Sequence, residues 1–152
     1  MKDLNQHMTA EEYRRLHDVS APEKKRPKVM RKRTEYNGRM YDSKLEADMA
    51  KSLDRMLKAK IICAWHRQNA YNLPLMREDG HPRTYQIDFD VEISDCFALH
   101  IEMKGEWTDY HNQRQADRRQ MVEKDYGIKI HVCHSVKEAE NVILKAIEEV
   151  KA

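Results

Sequence analysis

The sequence predicts an α/β fold, in which helices cover a β-sheet. Residues 85–93 and 97–104 alternate between apolar and polar side chains, which is the period of a strand that buries one face. Residues 43–58 and 135–150 place apolar side chains at helical spacing, and each stretch begins with a serine followed by a glutamate three positions later. That spacing is typical of a helix N-terminus. Helices and strands that alternate along a chain favour a layered α/β domain.

Turn residues divide the rest of the chain. Residues 1–33 are predicted as an arm with one short helix and a basic segment, and residues 34–152 as the folded domain. Asn37 and Gly38 indicate a tight turn between two short strands. The predicted elements are a helix at 9–17, strands at 34–36 and 39–41, a helix at 43–58, strands at 61–67, 70–73, 85–93 and 97–103, a helix at 110–126, a strand at 128–133 and a helix at 135–150.

Length and composition limit the class of protein. A chain of 152 residues suits one domain with a substantial core. No stretch approaches the ~20 apolar residues that a membrane-spanning helix needs, and the first ten residues are polar, so we expect a cytoplasmic protein with no membrane partner. The three cysteines form no close pair and are expected to be reduced. A zinc site at His131, Cys133 and His134 would lack the spacing typical of zinc ligands.

A basic run precedes the folded domain. Residues 24–33 hold seven lysines and arginines and no acidic side chain. Such a segment repels itself and has little to bury, so it does not fold alone. It is either a solvated linker or an arm that binds the phosphates of a nucleic acid. We expect an arm, and its binding residues would be Lys24, Lys25, Arg26, Arg31, Lys32 and Arg33.

The two alternating strands set two carboxylates against each other. Only residues 94–96 separate the strands, so an antiparallel hairpin is expected, and its register must place apolar side chains opposite apolar ones. The expected pairs are Asp88 with Glu102, Asp90 with His100, and Gln86 with Lys104. Opposed side chains have Cβ atoms ~5 Å apart, so Asp88 and Glu102 would repel unless a divalent cation lies between them. The alternative is a pair of ordinary solvent-facing acids.

Glu46 falls on the apolar side of the predicted helix at 43–58. At ~100° per residue, it lies among leucine, methionine and alanine side chains, whereas the other charged residues lie opposite. A lone carboxylate there needs a partner, because burying it unpaired is costly. Two partners are open: the Ser43 backbone N–H in a capping box, or the same cation as Asp88 and Glu102.

These residues resemble a known signature. Asp88 followed by Glu102 and Lys104 is similar to the motif of the PD-(D/E)xK nuclease superfamily, with Ile87 in place of the proline. The segments YDSKLEA at 41–47, YQIDF at 85–89 and EMKG at 102–105 together resemble a family of small phage and prophage nucleases similar to phage endonuclease I, which resolves four-way DNA junctions. The resemblance covers about residues 33–133 and implies a restriction-endonuclease-like core, a mixed sheet flanked by helices in the order αβββαβ.

The resemblance also implies a function. It implies an endonuclease that depends on Mg²⁺, with Mn²⁺ as a substitute, and that hydrolyses phosphodiester bonds in branched DNA such as four-way junctions. Two coordinated cuts in a two-fold symmetric junction favour a homodimer, located in the host cytoplasm if the chain is phage-encoded. The implied catalytic residues are Glu46, Asp88, Glu102 and Lys104, and the implied metal ligands are Glu46, Asp88, Glu102 and the backbone carbonyl of Met103.

The polar helix and the function each allow two interpretations. Arg114 and Arg118 share one face of the predicted helix at 110–126 and are expected to contact DNA, but Asp117 and Asp125 would also suit an ordinary solvated face. The competing function is a non-catalytic nucleic-acid-binding module that keeps the fold and the basic arm. Such a module would have no need of the acidic pair.

Overall fold

A computed structural model describes residues 32–105 and 109–152, and the side chains of residues 109–112 are also outside the description. The predicted helix at 9–17 and the basic residues Lys24, Lys25, Arg26 and Arg31 therefore lie outside the described residues. The elements are β1 (Thr34–Tyr36), β2 (Arg39–Tyr41), α1 (Lys44–Lys58), β3 (Ala64–Met76), β4 (Pro82–Ser94), β5 (Phe97–Met103), α2 (Asp109–Tyr126), β6 (Ile130–Cys133) and α3 (Val136–Lys151).

Four of the strands form one mixed sheet in the order β3-β4-β5-β6. β4 is antiparallel to both neighbours, whereas β5 and β6 are parallel. A parallel pair needs a crossover connection, and α2 lies in the connection between β5 and β6. β1 and β2 form a separate hairpin. The α/β class and the mixed sheet are confirmed, and α1, β3, β4, β5, α2 and β6 follow one another in the predicted order.

Turn and capping residues begin the elements as predicted. Asn37 and Gly38 have φ angles of 50° and 74°, the left-handed conformation that a tight hairpin turn needs. The Ser43 hydroxyl caps α1 by accepting the backbone N–H of Glu46 at 3.2 Å. Ser135 caps α3 in the same way. The first hairpin and these two helices are confirmed to within one residue at each end.

Several strand boundaries differ from the prediction. The strands predicted at 61–67 and 70–73 are one strand, β3, which continues through Gln68. The predicted loop at 74–82 is shorter, because β3 ends at Met76 and β4 begins at Pro82. In the next hairpin Ser94, not Ile93, pairs with Phe97, across an irregularity in the register. A bulge adds a residue without ending a strand, which a pattern of period two does not reveal.

The side chains of β3 exchange the two faces of the sheet at Gln68, whose φ is 58°. Trp65 packs on Phe89 with 5.8 Å between ring centroids, whereas Tyr71 packs on His100 at 6.4 Å. Phe89 pairs with the residue that follows His100, so Phe89 and His100 point to opposite faces of the sheet. In a regular strand, Trp65 and Tyr71 would lie on the same face. Here they lie on opposite faces of the sheet, because the irregular Gln68 stands between them.

β4 changes face at Asp88, the position opposite this irregularity. Ile87 belongs to a buried cluster with Ile130, which pairs with His100 and so lies on the face of His100. Phe89 belongs to a second cluster, on the opposite face. The prediction that the apolar positions of β4 share one face is therefore wrong, because the alternation is interrupted at Asp88.

Two hydrophobic cores result, one on each face of the sheet. α1 and α3 cover the core that contains Phe89 and Ile101, and α2 covers the core that contains Tyr85 and Ile87. The prediction that these strands bury one face and expose the other is therefore corrected: helices cover both faces. Among the described residues, no helix has the length and apolar character needed to cross a membrane.

Candidate active site

A cleft of about 240 Å³ joins the residues predicted for catalysis. It is formed where the start of α1, the separating ends of β4 and β5, and α2 meet. Four acidic and two basic side chains line it, so its lining carries net negative formal charge. The lining residues are Asp42, Glu46, Thr84, Tyr85, Gln86, Asp88, Glu102, Met103, Lys104, Gln115 and Arg118.

The register of β4 and β5 agrees with the prediction over most of its paired length. The pairs are Phe89 with Ile101, Asp90 with His100, Val91 with Leu99 and Glu92 with Ala98. The predicted pair of Gln86 with Lys104 lies beyond the end of this ladder, and Gln86 pairs with Ala70 of β3 instead. β4 and β5 separate after the last pair, and the cleft opens at that end.

Asp88 lies one position beyond the last pair, in line with Glu102 as the register predicts. Its carboxylate accepts the backbone N–H of Met103 at 2.8 Å. Lys104, the next residue, donates its own backbone N–H to Cys133 of β6, so successive amides of β5 turn to opposite neighbours. A side chain of β4 therefore satisfies the Met103 amide at the point where the backbone ladder stops.

The pKa of Asp88 is raised from 3.8 to about 7. Burial is the largest cause, and the negative charge of Glu46 is the next. The Met103 N–H and the Lys104 charge oppose the rise, and Glu102 adds to it. Burial is thus the main reason why the ionised form of Asp88 is disfavoured, and the charges of Glu46 and Glu102 add to the effect.

Three side chains hold the buried carboxylate of Glu102. Lys104 Nζ lies 3.3 Å from Oε1, and Arg119 Nη1 lies 3.8 Å from Oε2. The Tyr85 hydroxyl also donates a hydrogen bond to Oε2. Burial and the nearby Glu102 charge raise the pKa of Tyr85 far above its usual value, so this hydroxyl keeps its proton.

The position of Lys104 is fixed through its backbone. Its N–H donates to the Cys133 carbonyl at 2.9 Å, and its own carbonyl lies 2.9 Å from Nδ1 of His134, which must donate because a carbonyl only accepts. The side chain is buried beside Glu102. Lys104 thus extends β5 by one residue, on the same side of the strand as Glu102.

Glu46 lies at the N-terminus of α1, and its side chain reaches the cleft. Its backbone N–H donates to Ser43, which is half of a capping box. Its partly buried side chain lines the cleft, and its charge acts on Asp88. The cap accounts for Ser43, and the place of Glu46 in the cleft lining agrees with its prediction as a site residue.

The predicted DNA-binding residues divide into groups. Arg118 is partly buried and lines the cleft, whereas Arg114 is exposed and is not among the lining residues. Lys32 is exposed, and Arg33 Nε lies 3.6 Å from Asp42 Oδ1, between two exposed side chains. Because Asp42 lines the cleft, the described end of the basic arm lies beside the candidate site.

Three residues of the site were not predicted from the sequence: Tyr85, Arg119 and His134. Tyr85 counted as an apolar member of β4, although a tyrosine at a strand end also carries a hydroxyl that needs a partner when buried. Arg119 follows the predicted Arg118, but the polar sequence of α2 gave no orientation for the helix. Nothing in the sequence linked His134 to Lys104.

No family model, curated protein or solved structure matches this chain. Within residues 32–105 and 109–152, no group of three or more histidine, cysteine, aspartate and glutamate side chains is arranged to hold a metal ion. Function is therefore inferred from the cleft itself and from the sequence motifs that supply its residues.

Proposed function

We propose that the protein is a divalent-metal-dependent DNA endonuclease of the PD-(D/E)xK type, with a restriction-endonuclease-like core. The observation that carries the proposal is the convergence of Glu46, Asp88, Glu102 and Lys104 in one cleft. They come from the start of one helix and from two strands, far apart in sequence. The αβββαβ order of the elements around the mixed sheet is the order expected for such a core.

The chemistry of the donor set fits Mg²⁺ or Mn²⁺. Asp88 and Glu102 offer hard carboxylate oxygens, and Glu46 adds a third acid at the same cleft. Mg²⁺ is often held by one or two carboxylates, with water and substrate phosphate completing its shell. The raised pKa of Asp88, which burial and then the Glu46 charge cause, also supports the fit, because a bound cation would stabilise the ionised carboxylate. Asp88, Glu102, Glu46 and the Met103 carbonyl are the proposed ligands, and a bound cation would have to draw the three carboxylates closer together than they lie without it.

A bound divalent cation supplies Lewis acidity and an acidified water in phosphodiester hydrolysis. The chain supplies the surroundings. Tyr85 and Arg119 hold one oxygen of Glu102, so its carboxylate keeps a defined orientation. The buried Lys104 brings a positive charge to the cleft, where it can stabilise negative charge that develops on the phosphate. Arg118 lines the wall of the cleft, where its guanidinium would contact a neighbouring phosphate.

Incubation with Mg²⁺ and a panel of linear, nicked, flapped and four-way DNA tests the proposal. We expect Mg²⁺-dependent cleavage, with branched DNA as the best substrate, and no cleavage in the presence of a chelator. The second candidate function is a non-catalytic nucleic-acid-binding module. The basic arm would serve it equally well, so DNA binding without cleavage under any of these conditions would favour that candidate and contradict the nuclease.

The basic arm leads to a prediction about salt. Replacing its six proposed binding residues by glutamine should weaken DNA binding and flatten its dependence on salt, because each phosphate contact releases counterions. The melting temperature should change little, since Lys32 is exposed and the Arg33–Asp42 ion pair joins two exposed side chains. Binding titrations at several salt concentrations measure the slope. An unchanged slope would identify the segment as a linker. The residues are Lys24, Lys25, Arg26, Arg31, Lys32 and Arg33.

The proposed branched substrate leads to a prediction about assembly. A four-way junction has two-fold symmetry, and two coordinated cuts need two active sites, so we expect a C₂ homodimer. Sedimentation of the protein alone and with a non-cleavable junction measures the state. A monomer in both conditions would exclude paired cleavage by one particle and would favour a nuclease of flaps or single strands.

A further inference from the structure

A second groove, of about 600 Å³, lies beside the candidate active site. Thr84 and Arg118 line both the groove and the cleft, so the two share a wall. We name this feature the arginine groove. Its lining residues are Arg77, Glu78, Asp79, Arg83, Thr84 and Arg118.

The turn between β3 and β4 builds one side of the groove. Two backbone hydrogen bonds close it: Arg77 N–H to the His81 carbonyl at 2.8 Å, and Gly80 N–H to the Arg77 carbonyl at 3.0 Å. Gly80 has a φ of 81°, which a residue with a side chain rarely adopts. Asp79 accepts the His81 N–H through its side chain at 3.1 Å. A closed turn thus presents Arg77 at a defined place, and the adjoining strand β4 carries Arg83.

The charges of the groove differ from those of the cleft. Three arginines face two acids, and one of these acids, Asp79, already bonds the turn and lies 3.8 Å from Arg77. Within the part of the chain that the structure describes, Arg83 and Arg118 have no acidic partner within ion-pair distance. The groove is therefore basic where the adjoining cleft is acidic.

We infer that the arginine groove binds the phosphate backbone of the DNA strand that is cut, at nucleotides next to the cleaved bond. The inference rests on the proposed function and adds the path of the strand. Guanidinium groups bind phosphate oxygens in pairs of hydrogen bonds, whereas the acidic cleft repels phosphate in the absence of a cation. A strand that lies across the shared wall meets arginine on one side and the carboxylates on the other, and the exposed Thr84 lies between them.

Binding measured without cleavage tests the inference. The background for this test is Lys104→Met. In it, the double variant Arg83→Gln with Arg118→Gln should bind branched DNA at least ~10-fold more weakly at low salt. The slope of the salt dependence should fall by ~2, because each phosphate contact contributes ~0.9. Arg83→Gln alone, an exposed position, should lower the slope by ~1. The matched control is Arg55→Gln, which removes the same charge from an exposed arginine on α1, at the opposite face of the sheet.

The outcomes separate the inference from the proposed function. Slopes equal to that of Arg55→Gln in both groove variants would overturn the groove, even if the parent protein cuts DNA. Reduced slopes would support the groove, even if the parent protein cuts nothing and the nuclease proposal fails. In a cleaving protein, the Arg83→Gln variant should raise KM by several-fold and change kcat little, since Arg83 lines the groove and not the cleft.

Discussion

Replacement of Lys104 by methionine should lower the rate of DNA cleavage by ~10²-fold or more. Methionine keeps most of the length and the apolar stem of lysine but removes the ammonium, which lies 3.3 Å from Glu102 in a buried part of the cleft. In surroundings that exclude water, a charge beside the phosphate stabilises the transition state far more than it would in solvent. The loss should therefore appear in kcat, with smaller changes in DNA binding.

Three further measurements make this result specific to catalysis. The variant should keep its circular dichroism spectrum, since Tyr85 and Arg119 still hold Glu102. Calorimetry should still detect Mg²⁺ binding, and DNA should still bind. Lys137→Met, at an exposed position in α3, is the matched control and should cleave at the parent rate. If Lys104→Met also cleaves at the parent rate, Lys104 has no catalytic role, and the ExK motif no longer supports the nuclease proposal.

Replacement of Asp88 by asparagine should stabilise the protein at pH 8 in metal-free buffer. The folded protein holds the Asp88 proton up to about pH 7, whereas the ordinary pKa of 3.8 applies in the unfolded chain. Between pH 4 and 7 the folded state therefore binds more protons, and the free energy of unfolding of the parent falls as the pH rises. A pKa difference of one corresponds to ~1.4 kcal/mol, so the rise to about 7 corresponds to at most ~4 kcal/mol.

Denaturant titrations from pH 4 to pH 8 measure the effect. We expect Asp88→Asn to match the parent near pH 4 and to exceed it by ~2–4 kcal/mol at pH 8, since asparagine still offers an oxygen to the Met103 N–H. Added Mg²⁺ should stabilise the parent at pH 8 more than the variant. Asp95→Asn, at an exposed turn position, should leave the pH dependence unchanged. If the free energies of unfolding of the parent and of Asp88→Asn change with pH in parallel, the pKa of Asp88 is not raised in the folded protein.

The sequence predicted those parts of the fold that depend on local chemistry. The effects of Ser43, Ser135 and the Asn37–Gly38 turn can be predicted from the sequence, because each acts within four residues of its own position. The register that aligns Asp88 with Glu102 was also predictable, because a one-residue slip would bury charged side chains. The break in alternation at Gln68 and Asp88 could not be predicted from the sequence, because it depends on which helix covers each half of the strands.

The candidate site was predictable to a similar degree. Residue type and periodicity pointed to Glu46, Asp88 and Glu102, the resemblance added Lys104, and the structure brings the four residues to one cleft. Arg119 depends on the rotation of α2, and a helix with almost no apolar stripe carries no signal of that rotation in its sequence. The arginine groove depends on the separation of β4 from α2, a distance between elements that periodicity does not contain.

The change of face at Asp88 has a consequence for how this protein tolerates damage. Glu46 stands on a helix anchored in one core, Tyr85 belongs to the other, and Asp88 lies at the seam between them. Neither core alone positions all the residues of the site, so the carboxylates stay aligned only while both cores are intact. A packing defect such as a cavity at Leu53 or at Val122, each fully buried and neither among the residues that line the cleft, would shift one wall against the other. If the proposed activity depends on this alignment, a packing defect in either core should abolish it before the fold itself is lost.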